Sequence, residues 1–314
     1  MSINTTRLAP SPTGALHVGN ARTFLINHLL AKQRGWRVLL RIEDLDGPRI
    51  KGDASDIIDE LRWLGLQWED EPVYQSKRCG IYEGALKRLH AQGWAYPCTC
   101  SRRDVETAAS APNLGDARIV YPGTCRGRFA NAQDAGACGR PVAWRLRVPQ
   151  HKVTFADRFS GVQSFDLAST CGDFVIFKSD RQAAYQLAVV VDDACFGVNR
   201  IVRGDDLLES CARQVHIRSL LEMEDPVEYW HLPLVIGPDG RRLAKRHGDT
   251  RISYYRRKGC TPYRLWGLIG YMSGIFDSRR EADMNDLLMK FDIAAMPSSP
   301  VVFGPRDDAF LLGG

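Results

Sequence analysis

His17 and Lys245 occupy two local settings suited to handling a nucleoside triphosphate. The first is Arg7-Leu8-Ala9-Pro10-Ser11-Pro12-Thr13-Gly14-Ala15-Leu16-His17-Val18-Gly19-Asn20. Thr6 to Ala9 reads as a strand, and Pro10, Pro12 and Gly14 end it in a tight loop. Ala21, Phe24, Leu25, His28 and Leu29 then fall at helical spacing. His17 and Asn20 therefore stand at a helix entrance, where exposed amides favour phosphate. Gly19 lets a ligand approach the backbone, and a neutral His17 can donate to a phosphate oxygen. A strand–turn–helix with a capping histidine would show the same spacing. The second setting is Gly237-Pro238-Asp239-Gly240-Arg241-Arg242-Leu243-Ala244-Lys245-Arg246, a turn followed by a basic loop. If one fold brings the two together, they form the halves of an ATP clamp.

A fold that does so must carry strands and helices in alternation. Residues 1–96 read that way, and the amphipathic stretch Ser55–Leu64 keeps Ile57, Ile58, Leu61 and Leu64 on one face. This is the first half of an α/β, doubly wound parallel-sheet, Rossmann-like nucleotide-binding domain. Residues 97–166 read as an irregular, strand-rich insert. Residues 167–250 return to strand and helix, with a helix over Leu208–Leu221, and form the second half with the Lys245 loop. Residues 251–314 read as a short helical region, Tyr254 to Tyr271, followed by a poorly ordered tail, Pro297–Gly314.

The chain of 314 residues can bury a sizeable core. No apolar run approaches the roughly 20 residues that span a bilayer, and the N-terminus lacks a signal pattern. A cytoplasmic protein with no membrane contact is expected, and a monomer. Nine scattered cysteines argue against a secreted disulfide scaffold. A net charge of +5 permits a polyanionic partner without demanding one. Arg241, Arg242, Lys245 and Arg246 form one basic cluster; Arg256, Arg257 and Lys258 form another, which reads as a solvated face.

Two thiolates one residue apart, Cys98 and Cys100, can grip one ion, and Cys125 on a returning turn could supply a third corner of a tetrahedron. Isolated cysteines are also often just small buried hydrophobes. For the fourth corner Tyr121 is an unusual ligand, and Cys138 and His151 are the conventional rivals.

The run Arg7-x-Ala9-Pro10-Ser11-Pro12-Thr13-Gly14-x-Leu16-His17-x-Gly19 resembles the "HIGH" region of the glutamyl and glutaminyl branch of class I aminoacyl-tRNA synthetases. Arg41-Ile42-Glu43-Asp44-Leu45-Asp46, Tyr185 and Arg203-Gly204-Asp205-Asp206-Leu207 match that branch in order, and Leu243-Ala244-Lys245-Arg246 stands where its "KMSKS" loop should be. Ala244 and His247 depart from the loop pattern, but the lysine remains. The resemblance runs from about Arg7 to about Leu268. It implies catalytic roles for His17 and Lys245, and ATP contacts at His17, Gly19, Asn20 and Lys245, with Mg2+ accompanying the nucleotide. It implies L-glutamate contacts at Arg7, Leu8, Ala9, Pro10, Ser11, Glu43, Tyr185 and Arg203. Arginine is the natural partner of the substrate's side-chain carboxylate, Glu43 would hold its ammonium, and Tyr185 would add a hydroxyl. Three of these last four residues fall at carboxyl ends of strands, where doubly wound sheets bind ligands. The competing reading gives the arginines structural salt bridges with Asp44, Asp46 or Asp205. The resemblance also implies one structural Zn2+ held by Cys98, Cys100, Tyr121 and Cys125, with no open position for a reacting water.

The segment after Lys245 is too short for the usual helical anticodon domain. Val189 stands where full-length members of the branch look to carry asparagine, and the run from Tyr185 to Asp193 resembles the branch's short paralogues, the glutamyl-queuosine tRNA(Asp) synthetases. That resemblance implies glutamate activation without tRNA, then transfer to queuosine at the wobble position of tRNA(Asp). The alternatives are a truncated synthetase charging the tRNA 3′ end and an inactive tRNA-binding module.

Overall fold

The structure, a computed structural model, describes residues 3–12, 14–45, 52–109, 120–243 and 248–314. Val38, Leu39, Leu40 and Ile42 are all buried, a largely apolar run, interrupted only by the buried Arg41, that suits a strand covered on both faces. That strand is β2 (Arg37–Ile42), flanked by β1 (Thr5–Leu8) and β3 (Glu69–Tyr74). The connecting helices are α1 (Val18–Arg34) and α2 (Ala54–Trp63), and α3 (Cys79–Ala91) follows β3. Next come β4 (Ala95–Cys98), α4 (Arg102–Ala109), α5 (Ala132–Gly136), β5 (Ala143–Leu146), β6 (Val153–Asp157), β7 (Gly161–Phe165), α6 (Leu167–Thr170) and β8 (Phe174–Phe177). The second half of the core holds α7 (Tyr185–Cys195), β9 (Arg200–Gly204), α8 (Leu208–Leu220), β10 (Glu228–Leu232) and β11 (Val235–Ile236). Then follow α9 (Ile252–Arg257), α10 (Pro262–Met272), α11 (Met284–Lys290), β12 (Val301–Val302) and α12 (Pro305–Leu312).

β1, β2 and β3 pair in parallel, β1 in register Thr5↔Arg37 to Leu8↔Leu40. β9 and β10 also pair in parallel, Glu228↔Arg200 to Leu232↔Gly204. Asn199 joins the two sets: its Oδ1 accepts from the Thr5 amide at 2.9 Å, and its own amide donates to the Thr5 carbonyl at 3.0 Å. β6 continues beyond β10 at Tyr229↔Asp157, with β7 antiparallel on its outer side. The order is thus β3-β2-β1-β9-β10-β6-β7, and chain direction through the layers reverses between β1 and β9. In doubly wound sheets such a reversal opens a crevice at the strand carboxyl ends. β4, β5 and β8 form a separate antiparallel sheet.

Two expectations about the C-terminal region are corrected. The helix read over Tyr254–Tyr271 is two helices, because Gly259 takes φ +87 and Pro262 starts α10 behind a Thr261 cap. The tail is ordered: β12 pairs in parallel with β11, Phe303 is buried, and α12 seats Leu311 in the main core. Its Pro and Gly residues, Pro300, Gly304 and Pro305, punctuate elements rather than dissolve them. No helix among the described residues is long and apolar enough to cross a membrane.

Candidate functional site

A cavity of about 440 Å³ opens at the β1/β9 reversal. Ala9, Pro10, Ser11, Glu43, Tyr185 and Arg203 line one end; His17, Gly19, Asn20 and Arg242 line the other. Sequence-predicted residues from β1, β2, α7 and β9 thus meet in one place. Leu8 does not reach it: it is fully buried in the core. Arg7 sits below the lining, fixed by its Nη1 to the Val202 carbonyl at 3.3 Å and by an ion pair with Asp193 at 3.6 Å.

His17 is the N-cap of α1. Its Nδ1 accepts from the amides of Gly19 at 3.2 Å and Asn20 at 3.4 Å. The Val18 amide donates to the Thr250 carbonyl, and the Ala21 amide to the His17 carbonyl. The expectation that free amides here would take phosphate is therefore corrected, since the first-turn donors are already engaged. The helix begins at Val18, three residues before the apolar spacing starts, because the cap supplies what spacing does not show. Burial, with Arg242 nearby, lowers the His17 pKa to about 4, so the ring is neutral. With Nδ1 accepting, its proton lies on Nε2, the donor left for a ligand.

Arg203 is only 5% exposed, and its Nη1 and Nη2 make no hydrogen bond among the described residues. Its Nε donates to His231 Nε2 at 2.9 Å. The neighbouring Cys211 thiol, pushed up to about 12 by burial, offers no negative charge. The salt bridge to Asp44, Asp46 or Asp205 weighed from sequence is not made to either of the two described acids: Asp44 instead accepts from the amide and hydroxyl of Ser76. A buried guanidinium with two unpaired nitrogens costs several kcal/mol on the scale of unpaired buried polar groups, and a planar carboxylate would satisfy both.

Arg7 and Arg41, which lie beneath the lining, are compensated, chiefly by Asp193. Arg41 reaches Asp193 at 2.5 Å and Glu43 at 3.0 Å. Burial raises the Glu43 pKa against the pull of Arg41 and Arg7. The Glu43 amide donates to the Pro10 carbonyl at 3.0 Å, tying the acid to the first loop. Beneath lies Asp192, fully buried, accepting from Arg78 at 2.7 Å and from Gln75 and Tyr82 at 2.8 Å. Two adjacent aspartates ending the apolar run Val189–Val191 were the available signal, since charges are rarely buried without partners.

Lys245 lies outside the described residues, as do Asp46 and Ala244 to His247. The chain on both sides of it is held at the His17 end. Arg242 lines the cavity and pairs with Asp206 at 2.9 Å. On the far side the Ile252 amide donates to the Leu16 carbonyl at 2.8 Å, so that segment runs antiparallel to the His17 loop.

A second cluster stands on the antiparallel sheet. The sulfurs of Cys98, Cys100 and Cys125 lie within 4.8 Å of one another, Cys100 to Cys125 at 3.5 Å. Tyr121 Oη is 3.4 Å from Cys98 Sγ and 3.8 Å from Cys100 Sγ, and accepts from the Cys125 amide at 2.9 Å. Of the rivals, Cys138 is exposed and donates to the Ala135 carbonyl at 2.9 Å, and His151 is exposed. Zn–S bonds of about 2.3 Å in a tetrahedron set sulfurs about 3.8 Å apart, so the donor set fits zinc. Arg145 donates to Cys98 Sγ at 3.3 Å and covers the Tyr121 ring at 3.7 Å. Gly172 permits this packing: a Cβ there would stand 2.4 Å from the Tyr121 carbonyl oxygen.

Comparison with known proteins matches residues 4–300 to the catalytic domain of class I tRNA synthetases (E and Q). The glutamyl-Q tRNA(Asp) synthetase of Symbiobacterium thermophilum is 42% identical over 319 residues, covering 98% of this chain and 98% of that protein. That of Rhodopirellula baltica is 42% identical over 331 residues, covering 98% and 100%. Among solved structures, a glutamate tRNA ligase from Elizabethkingia meningosepticum in complex with its amino acid superposes with a TM-score of 0.81 at 23% identity, over 99% of this chain and 69% of that one. This last likeness is one of fold.

Proposed function

Because the chain belongs to the class I tRNA synthetase (E and Q) family, we propose that it activates L-glutamate with ATP, without tRNA, and transfers the glutamate to queuosine at the wobble position of tRNA(Asp). Two observations support this: the two unpaired, buried nitrogens of Arg203, which carry the reading, and the glutamyl-Q tRNA(Asp) synthetase names of its relatives at 42% identity. In the first step a glutamate α-carboxylate oxygen attacks the α-phosphorus of ATP; the P–O bond to pyrophosphate breaks and glutamyl-adenylate forms. In the second, a hydroxyl of the queuosine cyclopentenediol attacks the acyl carbon and AMP leaves.

Arg203 grips the side-chain carboxylate, Glu43 the ammonium, and Tyr185 closes the same end of the cavity. His17 Nε2 donates to phosphate oxygens, with Mg2+ carried on the nucleotide as part of the substrate. Lys245 meets the charge that develops as pyrophosphate leaves. No enzyme nucleophile is needed; the work is positioning and charge stabilisation. Cys98, Cys100, Tyr121 and Cys125 would hold a structural zinc. Four protein ligands would close the site and brace the loops between β4 and β5.

The test is glutamate-dependent ATP–pyrophosphate exchange with no tRNA present, followed by transfer to tRNA(Asp) with and without queuosine. Exchange without tRNA and transfer only to the queuosine-bearing form are expected. Strict dependence of exchange on tRNA would count against the first step, and equal labelling of both tRNAs would favour charging at the 3′ end.

A further inference from the structure

Three neighbouring strands each place one side chain in a line behind the cavity. Arg203 on β9 stands opposite His231 on β10 in the parallel register, and Asp157 ends β6 beside them. Arg203 Nε donates to His231 Nε2 at 2.9 Å, and His231 Nδ1 lies 2.7 Å from Asp157 Oδ2. The His231 and Asp157 side chains are both 0% exposed. Asp157 Oδ1 also accepts from the amides of Phe159 at 3.0 Å and Ser160 at 2.7 Å, and Oδ2 from the His231 amide at 3.1 Å, so its position is set by backbone.

An arginine donor must meet a ring nitrogen that carries no proton, and a carboxylate must meet one that does. Only one tautomer of His231 satisfies both, with the proton on Nδ1. We propose that Asp157 and His231 are positioning residues for the carboxylate clamp. Asp157 fixes the His231 tautomer, His231 accepts from Arg203 Nε, and the two Nη nitrogens are thereby left facing the cavity as a matched pair. The inference rests on the reading that Arg203 holds the glutamate side chain. Neutral imidazole is the acceptor this task needs, because it anchors the guanidinium without compensating its charge. An aspartate in that place would do what Asp193 does for Arg41, and would compete with the ligand. Burial, against the opposing pull of Asp157, lowers the His231 pKa to about 4, in keeping with a neutral ring.

The experiment measures glutamate and ATP half-saturation in pyrophosphate exchange for the full chain and four variants: R203A, H231F, H231Q and D157N. H231F removes the acceptor. D157N turns the carboxylate oxygen facing the ring into a donor, forces the proton to Nε2, and sets two donors against each other at Arg203. Each should raise glutamate half-saturation about tenfold, the cost of one hydrogen bond to a charged group at the low end of its range. ATP half-saturation and the rate at saturating glutamate should stay close to wild type, a split that general disruption of the sheet would not produce. H231Q, whose side-chain carbonyl can accept from Arg203, should recover most of the loss. The proposal is overturned if R203A loses glutamate dependence while H231F and D157N keep the wild-type value, or if H231Q is as impaired as H231F. Should H231F fail to fold, D157N against H231Q carries the same decision. A normal glutamate dependence in R203A would instead sink the carboxylate reading itself, and this inference with it.

Discussion

The two ends of the cavity are built differently. At the carboxylate end Arg203, His231 and Asp157 stand on adjacent strands, and Arg41, Asp193 and Arg7 lock together beneath. Every one of these groups is buried, and each is held by a partner on another strand or on α7. At the nucleotide end His17, Asn20 and Arg242 come from a loop, a helix entrance and a second loop, and Arg242 is more than half exposed. The comparison teaches that the end proposed to discriminate one amino acid is carried on the buried strands and α7. The end proposed to meet ATP, whose triphosphate is recognised by charge, is carried on loops and a helix entrance.

Substitutions at the two ends should therefore differ in kind. The largest effect is expected from K245A. Loss of a charge contact made in the transition state typically costs on the order of 100- to 1000-fold in rate. Single-turnover adenylate formation should fall by that amount while glutamate half-saturation barely moves; an unchanged rate would remove Lys245 from the chemistry and blur the contrast.

R203A comes next, and should act on recognition instead. A hydrogen bond to a charged group contributes about 1.5–3 kcal/mol, so glutamate half-saturation should rise one to two decades while ATP binding stays intact. Arg203→Lys should not rescue, because it lacks the planar fork. A glutamate titration at saturating ATP decides between Arg203 and Arg7.

A smaller effect is expected in the pH dependence of stability, and it reaches both ends. His28 on α1, the helix that His17 caps, and His231, behind the carboxylate end, both have pKa values lowered to about 4, chiefly by burial. In the unfolded chain each titrates near 6.5. Between about pH 4 and 6.5 the unfolded state binds more protons, so stability falls as pH falls through that window and is level above it. Each ring contributes a slope of up to about 1.4 kcal/mol per pH unit. Urea unfolding between pH 7 and 5 should give a shallower slope in H28L than in wild type; equal slopes would mean that His28 charges in the folded state.

The smallest effect on adenylate formation is expected at the cysteine cluster, which lies on a separate sheet. Purified protein should hold one zinc per chain and lose it in C98S or C125S, while exchange changes little. Metal analysis of freshly purified protein checks the first statement. Full retention of zinc in Y121F would move the fourth ligand away from Tyr121.

Sequence and structure agree most closely where a residue's role is local. The Pro and Gly punctuation after β1, the strand ends at Glu43 and Arg203, the face of α2 and the Cys-x-Cys pair were all legible, because each rests on neighbours a few positions away. The partners of the arginines were not. Asp193 lies 152 residues from Arg41, and His231 lies 28 from Arg203 on the next strand, so no spacing rule links them. The tail was misread for a related reason. Pro300 and Gly304 look like breakers in isolation, and only the exposed edge of β11 turns the residues between them into a strand. His17 lay between these cases: a capping histidine was among the readings, but that the cap uses up the amides needed three dimensions.

The pairing of β11 with β12 also bears on the order in which the molecule is assembled as it is made. Val235 and Ile236 immediately precede the basic loop, yet their partners, Val301 and Val302, are translated dozens of residues later. Domains generally fold from the N-terminal side as the chain emerges. The strands bearing Asp157, Arg203 and His231 can therefore be in place on the ribosome before the strand that pairs with β11 exists. Chains stalled after Lys290 should resist protease across β9 and β10 while remaining open to cleavage at Val235 and Ile236. On this account a nascent chain lays down the strands that carry Asp157, Arg203 and His231 first, and adds the strand that pairs with β11 only near the end of synthesis.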